Sequence, residues 1–292
     1  MLDKWISVCY NITILIKDVD TNKYFKSNIL DKSGLAEFYL HRTKWLAEKL
    51  NDFHEPPSKD LLAGSYMHYL VESHFDNNAP EIRDDEKELL LKKNGEPYAW
   101  ANDAQEWADV ICKKMDSELG EMISHSKIFT ELSLIGNVLG KKFKGRLDQV
   151  FKYADPETGE IRLLAIDYKT VRDFDEYQWD NHFQMKLNYF DSHRYNWQAY
   201  IYIQLLKQQE EFKDIPIDFE FWQVQKKEVA GNYPVMVTKY LPDEVTEHEL
   251  SNAIEIYDNF DVNEYLEEYP TARASVNGFS INDYQPLSYR KD

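Results

Sequence analysis

Cysteine is almost missing from this sequence, which contains only Cys9 and Cys112 in 292 residues. Two thiols are too few for a disulfide framework, a four-cysteine zinc site or a four-cysteine iron–sulfur cluster. We therefore expect a cytoplasmic protein with reduced thiols and without an iron–sulfur cluster.

Glycine, proline and long apolar runs are also scarce. Ten glycines and ten prolines exclude collagen-like and linker-dominated chains. No apolar run approaches the roughly 18 residues that a membrane-spanning helix needs, so no membrane partner is expected. Residues 1–20 have a short, interrupted apolar stretch and no small-residue cleavage site, which predicts a first strand and not a signal peptide.

Positive charge is in deficit, because 34 Lys and Arg residues face 52 Asp and Glu residues and the net charge is −18. Such a chain is not expected to coat nucleic acid or anionic membranes non-specifically, although an enzyme that acts on nucleic acid needs only a local basic channel. Aromatic residues, in contrast, make up 14% of the chain. That supply of core-forming side chains excludes intrinsic disorder.

The spacing of apolar residues predicts the order of elements. Helical spacing begins after Ser33, a candidate N-cap, and changes to strand spacing after Gly120. The third strand of that region, 162–166, is almost wholly apolar, as a strand buried on both faces would be. The predicted elements are a strand within 1–30, helices at 33–50, 60–75 and 98–124, strands at 129–135, 143–151 and 162–166, a helix at 192–210, strands at 217–226 and 233–241, and a last helix from 243 to about 266.

From residue 98 onward the order α-β-β-β-α-β predicts an α/β domain with a mixed central sheet. Three regions follow from this interpretation. Residues 1–97 are a mostly helical lead-in packed on the core, residues 98–266 are the core itself, and residues 267–292 are a polar tail.

The sharpest local feature is the apolar strand that ends in Asp167, Tyr168 and Lys169. Alternate strand positions share a face, so Asp167 and Lys169 emerge side by side. Asp148 lies on the preceding strand of the same hairpin, and neighbouring strands are ~4.7–5 Å apart, so the two acids can bind one cation between them. The alternative interpretation is a strand end with a surface ion pair.

Two carboxylates beside a lysine suit metal-assisted hydrolysis of a phosphodiester. Mg²⁺ prefers oxygen ligands and leaves room for water and phosphate oxygens. The metal lowers the pKa of bound water, and Lys169 can orient or deprotonate that water.

Two helices carry further candidates. Gly64 and His68 share one helical face, as do Gln198 and Tyr202, because residues four apart are neighbours on a helix. The alternatives are a hydrogen-bonded structural histidine in the first case and a single polar contact to the sheet in the second.

Taken in chain order, the set Gly64…His68, Gly145-Arg146-Leu147-Asp148, Asp167-Tyr168-Lys169-Thr170 and Gln198…Tyr202 resembles the RecB-type branch of the PD-(D/E)xK nuclease superfamily. Within that branch, Lys32-Ser33-Gly34-Leu35 and the Asp-x-Lys-Thr ending are most similar to the phage and prophage exodeoxyribonuclease VIII (RecE) nuclease domain. The resemblance covers about residues 24–210 and implies a restriction-endonuclease-like core.

The resemblance also implies a role for each matching residue. Asp148 and Asp167 are expected to be catalytic metal ligands, with His68 and the Tyr168 carbonyl as further ligands, and Lys169 is the expected catalytic lysine. The implied cofactor is Mg²⁺, for which Mn²⁺ can substitute.

Three more residues have less specific expected roles. The resemblance implies that Gln198 and Tyr202 line the site or contact DNA. Glu131, on the strand before Asp148, is a candidate further acid near the metal, although its register is open.

The second acid of the motif is Asp167 and not a glutamate, a variation that the family allows.

A basic segment runs directly into Asp148. It places four cations within six residues: Lys141, Lys142, Lys144 and Arg146. Next to metal-binding acids they can hold the DNA backbone, while the acidic exterior repels DNA elsewhere. The alternative is a solvated strand face.

The resemblance therefore implies a Mg²⁺-dependent exonuclease that resects linear duplex DNA 5′→3′ from free ends for phage-type recombination. It also implies a homo-oligomer and a single-strand annealing protein as partner. The alternatives are an endonuclease or nicking enzyme of the same superfamily in repair or restriction, and a non-catalytic DNA-binding protein on this fold.

Overall fold

The computed structural model of the chain describes residue 27 and residues 29–51, 58–77, 89–180, 183–269 and 272. Of the strand predicted within 1–30, residues 1–26 and 28 lie outside the described residues. Of the polar tail predicted at 267–292, residues 267–268 belong to α8, and 270, 271 and 273–292 lie outside the described residues. Eight helices of the described part are α1 (Lys32–Leu40), α2 (Arg42–Asn51), α3 (Lys59–Phe75), α4 (Ala99–Ser124), α5 (Tyr189–Ser192), α6 (Tyr195–Lys207), α7 (Glu244–Asp258) and α8 (Val262–Glu268). Its strands are β1 (Lys127–Val138), β2 (Lys141–Ala154), β3 (Ile161–Val171), β4 (Tyr177–Asp180), β5 (Met185–Asn188), β6 (Ile217–Gln225) and β7 (Val235–Tyr240).

A five-stranded mixed sheet in the order β1-β2-β3-β6-β7 forms the centre of the fold. The first three strands are antiparallel, β3 and β6 are parallel, and β7 returns antiparallel to β6. The parallel step requires a crossover, which α5 and α6 provide. The predicted α/β core with a mixed central sheet is confirmed.

Both faces of the sheet are covered by helices. Helices α1, α6 and α7 pack on one face and α3 and α4 pack on the other, so that two hydrophobic clusters share β3. Alternate residues of β3 enter different clusters, Leu163 and Ala165 on the α6 face and Leu164 and Ile166 on the α3 face. This explains why the sequence of β3 is continuously apolar. Within the described part of the chain, no helix is both long and apolar enough to cross a membrane.

Helix boundaries differ from the sequence prediction at several places. The helix predicted at 33–50 is two helices, α1 and α2, which are separated at His41. Asp31, and not Ser33, caps α1, because the helix begins one residue before Ser33 and the Asp31 carboxylate accepts a 2.7 Å hydrogen bond from the Gly34 N–H. The single predicted last helix is two helices, since Asp261 accepts hydrogen bonds from the Asn263 and Glu264 N–H groups and thereby starts α8. At Asp31 and at Asp261, an aspartate carboxylate accepts hydrogen bonds from backbone N–H groups of the first turn and thereby fixes where the helix begins.

Candidate active site

The candidate site lies at a fork between β2 and β3. Their pairing runs from Ala154↔Ile161 to Gln149↔Ile166, and the next position on each strand is Asp148 and Asp167. Beyond this point β3 continues to pair with β6 as far as Val171↔Gln225. The two predicted acids are therefore neighbours, as the hairpin register implied, and they lie where the sheet opens.

Asp148 is buried and held as a carboxylate. One of its oxygens, Oδ2, accepts a 2.8 Å hydrogen bond from the Tyr168 N–H and lies 3.2 Å from Nδ1 of His68. Burial alone would raise the pKa of Asp148, but His68 and Lys169 outweigh it and lower the pKa. Burial likewise opposes the charged form of His68, yet the Asp148 carboxylate raises the pKa of this histidine.

A metal-binding group forms around this pair. One ligand atom each from His68, Glu72 and Asp148 lies within 4.8 Å of the others. Glu72 is 3% exposed, and its Oε1 has no hydrogen-bond partner among the residues that the structure describes. Burial, followed by the charges of Glu131 and Asp148, raises the pKa of Glu72 well above its ordinary value. An imidazole and two carboxylates fit Mn²⁺ or Mg²⁺, and the unpartnered oxygen and the clustered acids supply the negative charge that such an ion would neutralise.

Glu72 is the site residue that the sequence interpretation missed. It follows His68 by four positions on α3 and therefore lies on the same helical face. The His68-x-x-x-Glu72 spacing was a readable signal, because a pair of metal-ligand residues one turn apart commonly faces one site.

Glu131 lies beside this group. It falls between the pairs Thr130↔Gln149 and Leu132↔Leu147, which places it opposite Asp148. Its φ of 53° is left-handed, a conformation that costs a non-glycine residue roughly 1–2 kcal/mol. Its carboxylate pairs with Arg146 at 2.5 Å. The open register of the sequence prediction is thereby resolved. Left-handed backbone is not specific to the candidate site, because Leu139, Gln184, Arg194, Asp214 and Ala230 also have it.

Asp167 has a different environment from Asp148. Its Oδ2 pairs with the Lys169 ammonium and its Oδ1 accepts a hydrogen bond from Nε2 of Gln198. Burial raises the pKa of Asp167 to about 6, although Lys169 opposes the shift. Burial alone would lower the pKa of Lys169, but Asp167 outweighs it and raises the pKa, so the lysine is a cation.

Of the remaining predicted site residues, Tyr168 and Gln198 contact the two acids, whereas Tyr202 does not reach Asp167. The Tyr168 side chain is fully buried beneath His68, with the two rings 5.8 Å apart, and its backbone N–H holds Asp148. Tyr202 is not brought to Asp167 but packs over Gly145, where a Cβ atom would lie 2.7 Å from the tyrosine ring. Gln198 and Tyr202 are one turn apart on α6, so they reach different strands, β3 and β2.

The basic segment of β2 is largely engaged by the protein itself. Lys141 pairs with Asp258, Arg146 pairs with Glu131, and Lys144 is buried 3.8 Å from Asp31. Lys142 is exposed. The assignment of these four residues to DNA binding stays a prediction.

Comparisons with known proteins agree with this architecture. A family model described as "PDDEXK-like domain of unknown function (DUF3799)" matches residues 32–263. No functionally curated protein matches the sequence. A crystal structure from Eubacterium rectale, described as a candidate exonuclease, is similar in fold with a TM-score of 0.56 and 18% identity over 89% of this chain and 87% of that chain. The crystal structure of SSO0001 aligns over 80% of this chain and 92% of that chain at 17% identity, but its TM-score of 0.26 carries no structural inference. The family match, supported by the shared fold, favours a hydrolytic nuclease.

Proposed function

Because this chain belongs to the PDDEXK-like family DUF3799, we propose that it is a metal-dependent deoxyribonuclease that hydrolyses linear duplex DNA from free ends. The observation that carries the proposal is the strand fork, where Asp148 joins His68 and Glu72 while Asp167 joins Lys169. A cluster of acids whose negative charge is not fully neutralised, next to a half-buried lysine, is the arrangement that metal-assisted phosphodiester hydrolysis needs.

The residues that would hold the metal are His68, Glu72 and Asp148, with Asp167 at the adjoining strand end. When bound, Mg²⁺ or Mn²⁺ would supply activated water and neutralise charge on the phosphate. Tyr168 fixes the Asp148 carboxylate through its N–H, and Gln198 fixes the Asp167 carboxylate from the opposite face of the sheet. Such preorganisation spares the site from reorienting its dipoles during the reaction.

Lys169 acts as a cation. Asp167 keeps its ammonium protonated, so it is suited to hold the scissile phosphate and to stabilise the charge that develops in the transition state. A protonated lysine is less suited to the deprotonation of water, which narrows the two roles that the sequence left open.

The finer assignments follow from the resemblance to exodeoxyribonuclease VIII. They are the preference for Mg²⁺, the dependence on a free end, 5′→3′ resection in phage-type recombination, a homo-oligomeric assembly and a single-strand annealing partner. An endonuclease or nicking enzyme of the same superfamily is the second candidate, because the same acids and lysine can serve internal cleavage. The complete set of Asp148, Asp167 and Lys169 disfavours a purely DNA-binding protein, which has no use for all three.

The test compares three substrates of equal sequence: linear duplex labelled at its 5′ or 3′ ends, covalently closed circular duplex, and duplex RNA. Each is incubated with the purified protein and Mg²⁺, Mn²⁺ or EDTA. We expect metal-dependent release of 5′-terminal nucleotides from the linear DNA and intact circles. Rapid linearisation of the circles would favour the endonuclease, and cleavage that persists in EDTA would contradict the metal site.

A further inference from the structure

We propose that Lys32 is a second phosphate-binding residue of the candidate active site, which holds a backbone phosphate of the DNA strand next to the phosphate that Lys169 contacts. The proposal rests on the proposed function and deepens it, because it assigns a substrate subsite to a residue outside the acid and lysine motifs.

Two lysines from distant parts of the chain meet at one aromatic ring. The ammonium of Lys32, in the first turn of α1, and the ammonium of Lys169, on β3, each lie 5.1 Å from the ring centroid of Tyr195. No more than twice that distance separates the two ammonium groups, a span that neighbouring phosphates of one strand can cover. The tyrosine ring is thus a platform that holds two cations at the edge of the strand fork.

The Lys32 ammonium has unused hydrogen-bonding capacity. Within the described part of the chain it donates one hydrogen bond of 2.7 Å, to the His193 carbonyl, whereas an ammonium group has three donors. The nearest carboxylate in sequence, Asp31, is turned away, since its two oxygens serve the Gly34 N–H and the Lys144 ammonium. Among the residues that the structure describes, no carboxylate forms an ion pair with Lys32.

Like charges at this position are unfavourable unless an anion joins them. Burial, followed by the charge of Lys169, lowers the pKa of Lys32 to about 7, and Asp167 offsets only part of that effect. Asp167 is already paired with Lys169. A substrate phosphate would stabilise the protonated form of Lys32 and fill its remaining donor positions, which is the arrangement that phosphate contacts from lysine use.

The backbone that carries Lys32 is held rigidly. Leu35 and Phe38 of the same helix are both 0% exposed in the core, and Asp31 caps the helix. A cation on a fixed element loses little conformational freedom when it binds a ligand, so it can set the position of the DNA strand relative to Lys169.

The experiment measures DNA affinity against salt concentration. The probe is a fluorescent linear duplex with phosphorothioate linkages at its ends, bound in Ca²⁺ so that cleavage does not interfere. We expect Lys32→Met to weaken binding about tenfold and to reduce the slope of log Kd against log salt by about one phosphate contact. Lys32→Arg, which keeps the charge, is expected to retain the wild-type slope.

Lys152→Met is the matched control, because Lys152 is also a half-buried lysine whose ammonium donates to a backbone carbonyl, that of Glu211 at 3.1 Å. It lies at the end of β2 away from Asp148, and its loss should change neither the affinity nor the slope. A Lys32→Met protein that keeps the wild-type slope would overturn the proposal while leaving the nuclease assignment intact. A wild-type protein that binds no duplex would overturn both.

A second measurement uses the wild-type chain and does not depend on the folding of a variant. The protein is treated with an amine-acylating reagent, with and without the phosphorothioate duplex, and each lysine is quantified by mass spectrometry. We expect the duplex to protect Lys32 severalfold and to leave Lys152 unchanged. Equal modification of Lys32 in both samples would contradict the subsite.

Discussion

The two helices that reach the strand fork pack on opposite faces of the sheet and contribute different kinds of side chain. Helix α3 brings His68 and Glu72 to Asp148, and this half has an excess of negative charge and a buried Glu72 oxygen without a partner. Helix α6 brings Gln198 to Asp167, whose Oδ1 accepts a hydrogen bond from Gln198 and whose Oδ2 forms an ion pair with Lys169 but, within the described residues, accepts no hydrogen bond. The acids of the α3 half therefore outnumber their basic partners, whereas the single acid of the α6 half is paired with Lys169.

This difference assigns separate tasks to two acids that are adjacent in the sheet. Neighbouring groups lower the pKa of Asp148 and burial raises that of Asp167 to about 6, although both carboxylates are buried. Because both acids are buried, the difference between their pKa values comes from their neighbours: His68 and the Tyr168 N–H stabilise the charged form of Asp148 and have less effect on Asp167. We infer that the α3 half binds the metal and that the α6 half positions the phosphate and the lysine.

The largest effect is expected from Asp148→Asn, because Asp148 joins the two halves. The substitution removes the charge that both His68 and the metal require, and cleavage in Mg²⁺ should fall by at least about 10³. The measurement is single-turnover cleavage of end-labelled linear duplex.

Asp116→Asn is the control for this substitution. Asp116 also pairs with a histidine, His74, at 3.0 Å, but that pair is exposed on α3 and α4. Its removal should leave cleavage within about twofold, since exposed pairs contribute ~0–1 kcal/mol. Equal losses in the two variants would show that Asp148 has only a structural role.

Lys169→Ala tests the other half of the site. The variant should bind duplex ends nearly as well as the wild type, because the metal ligands remain, and should cleave on the order of 10²–10³ more slowly. The measurement is single-turnover cleavage at saturating DNA, with affinity determined separately in Ca²⁺. Lys227→Ala, which removes a largely exposed partner of Asp173, is the control. Retention of more than about a third of the wild-type rate would make Lys169 a structural residue.

The strand fork was predictable because its geometry is local. The turn at 155–159 joins β2 and β3 directly, so the register of one hairpin decides that Asp148 opposes Asp167. Glu131 was not placed, since its left-handed backbone interrupts the alternation on which strand predictions depend.

The contacts between distant segments were harder to predict. Helical spacing gives Gln198 and Tyr202 the same face, but it does not state that one reaches Asp167 while the other packs on Gly145. The basic segment of β2 looked free in sequence because Asp258 and Asp31, which engage two of its lysines, are more than a hundred positions away. The β4–β5 hairpin was also missed, since four-residue strands have little periodicity.

Glu72→Gln tests the metal-binding half of the site by thermal stability instead of by cleavage activity. A metal at a hundred times its Kd stabilises the folded protein by about 2.7 kcal/mol, which is several degrees in Tm for a chain of this size. We expect Mn²⁺ to raise the Tm of the wild type and to have little effect on the variant. Without metal the variant should be at least as stable as the wild type, because an amide replaces a buried carboxylate whose Oε1 has no hydrogen-bond partner among the described residues.

Differential scanning fluorimetry in Mn²⁺ and in EDTA measures this effect. Glu118→Gln is the control, since Glu118 forms an exposed ion pair with Lys114 on α4 and lies outside the metal-binding group. A Mn²⁺-dependent shift that is equal in wild type and Glu72→Gln would remove Glu72 from the metal site and would return the second carboxylate ligand to Asp167.

The smallest effect is expected on β2, where Lys142→Ala removes an exposed lysine and Lys141→Ala removes one that is paired with Asp258. Lys142 is exposed, whereas Lys141 is paired with Asp258 and stacked 5.1 Å from the Tyr257 ring. If β2 holds the DNA backbone, Lys142→Ala should weaken binding a few-fold and reduce the salt slope by about one, because one phosphate contact is lost. Lys141→Ala should leave the slope unchanged and lower the free energy of unfolding by no more than ~1 kcal/mol, the value of a surface pair. The fluorescent duplex titration and urea unfolding measure the two quantities. A salt slope that changes only in Lys141→Ala would contradict this expectation. It would mean that DNA displaces Asp258 from Lys141 and that Lys141, and not Lys142, contacts the phosphate.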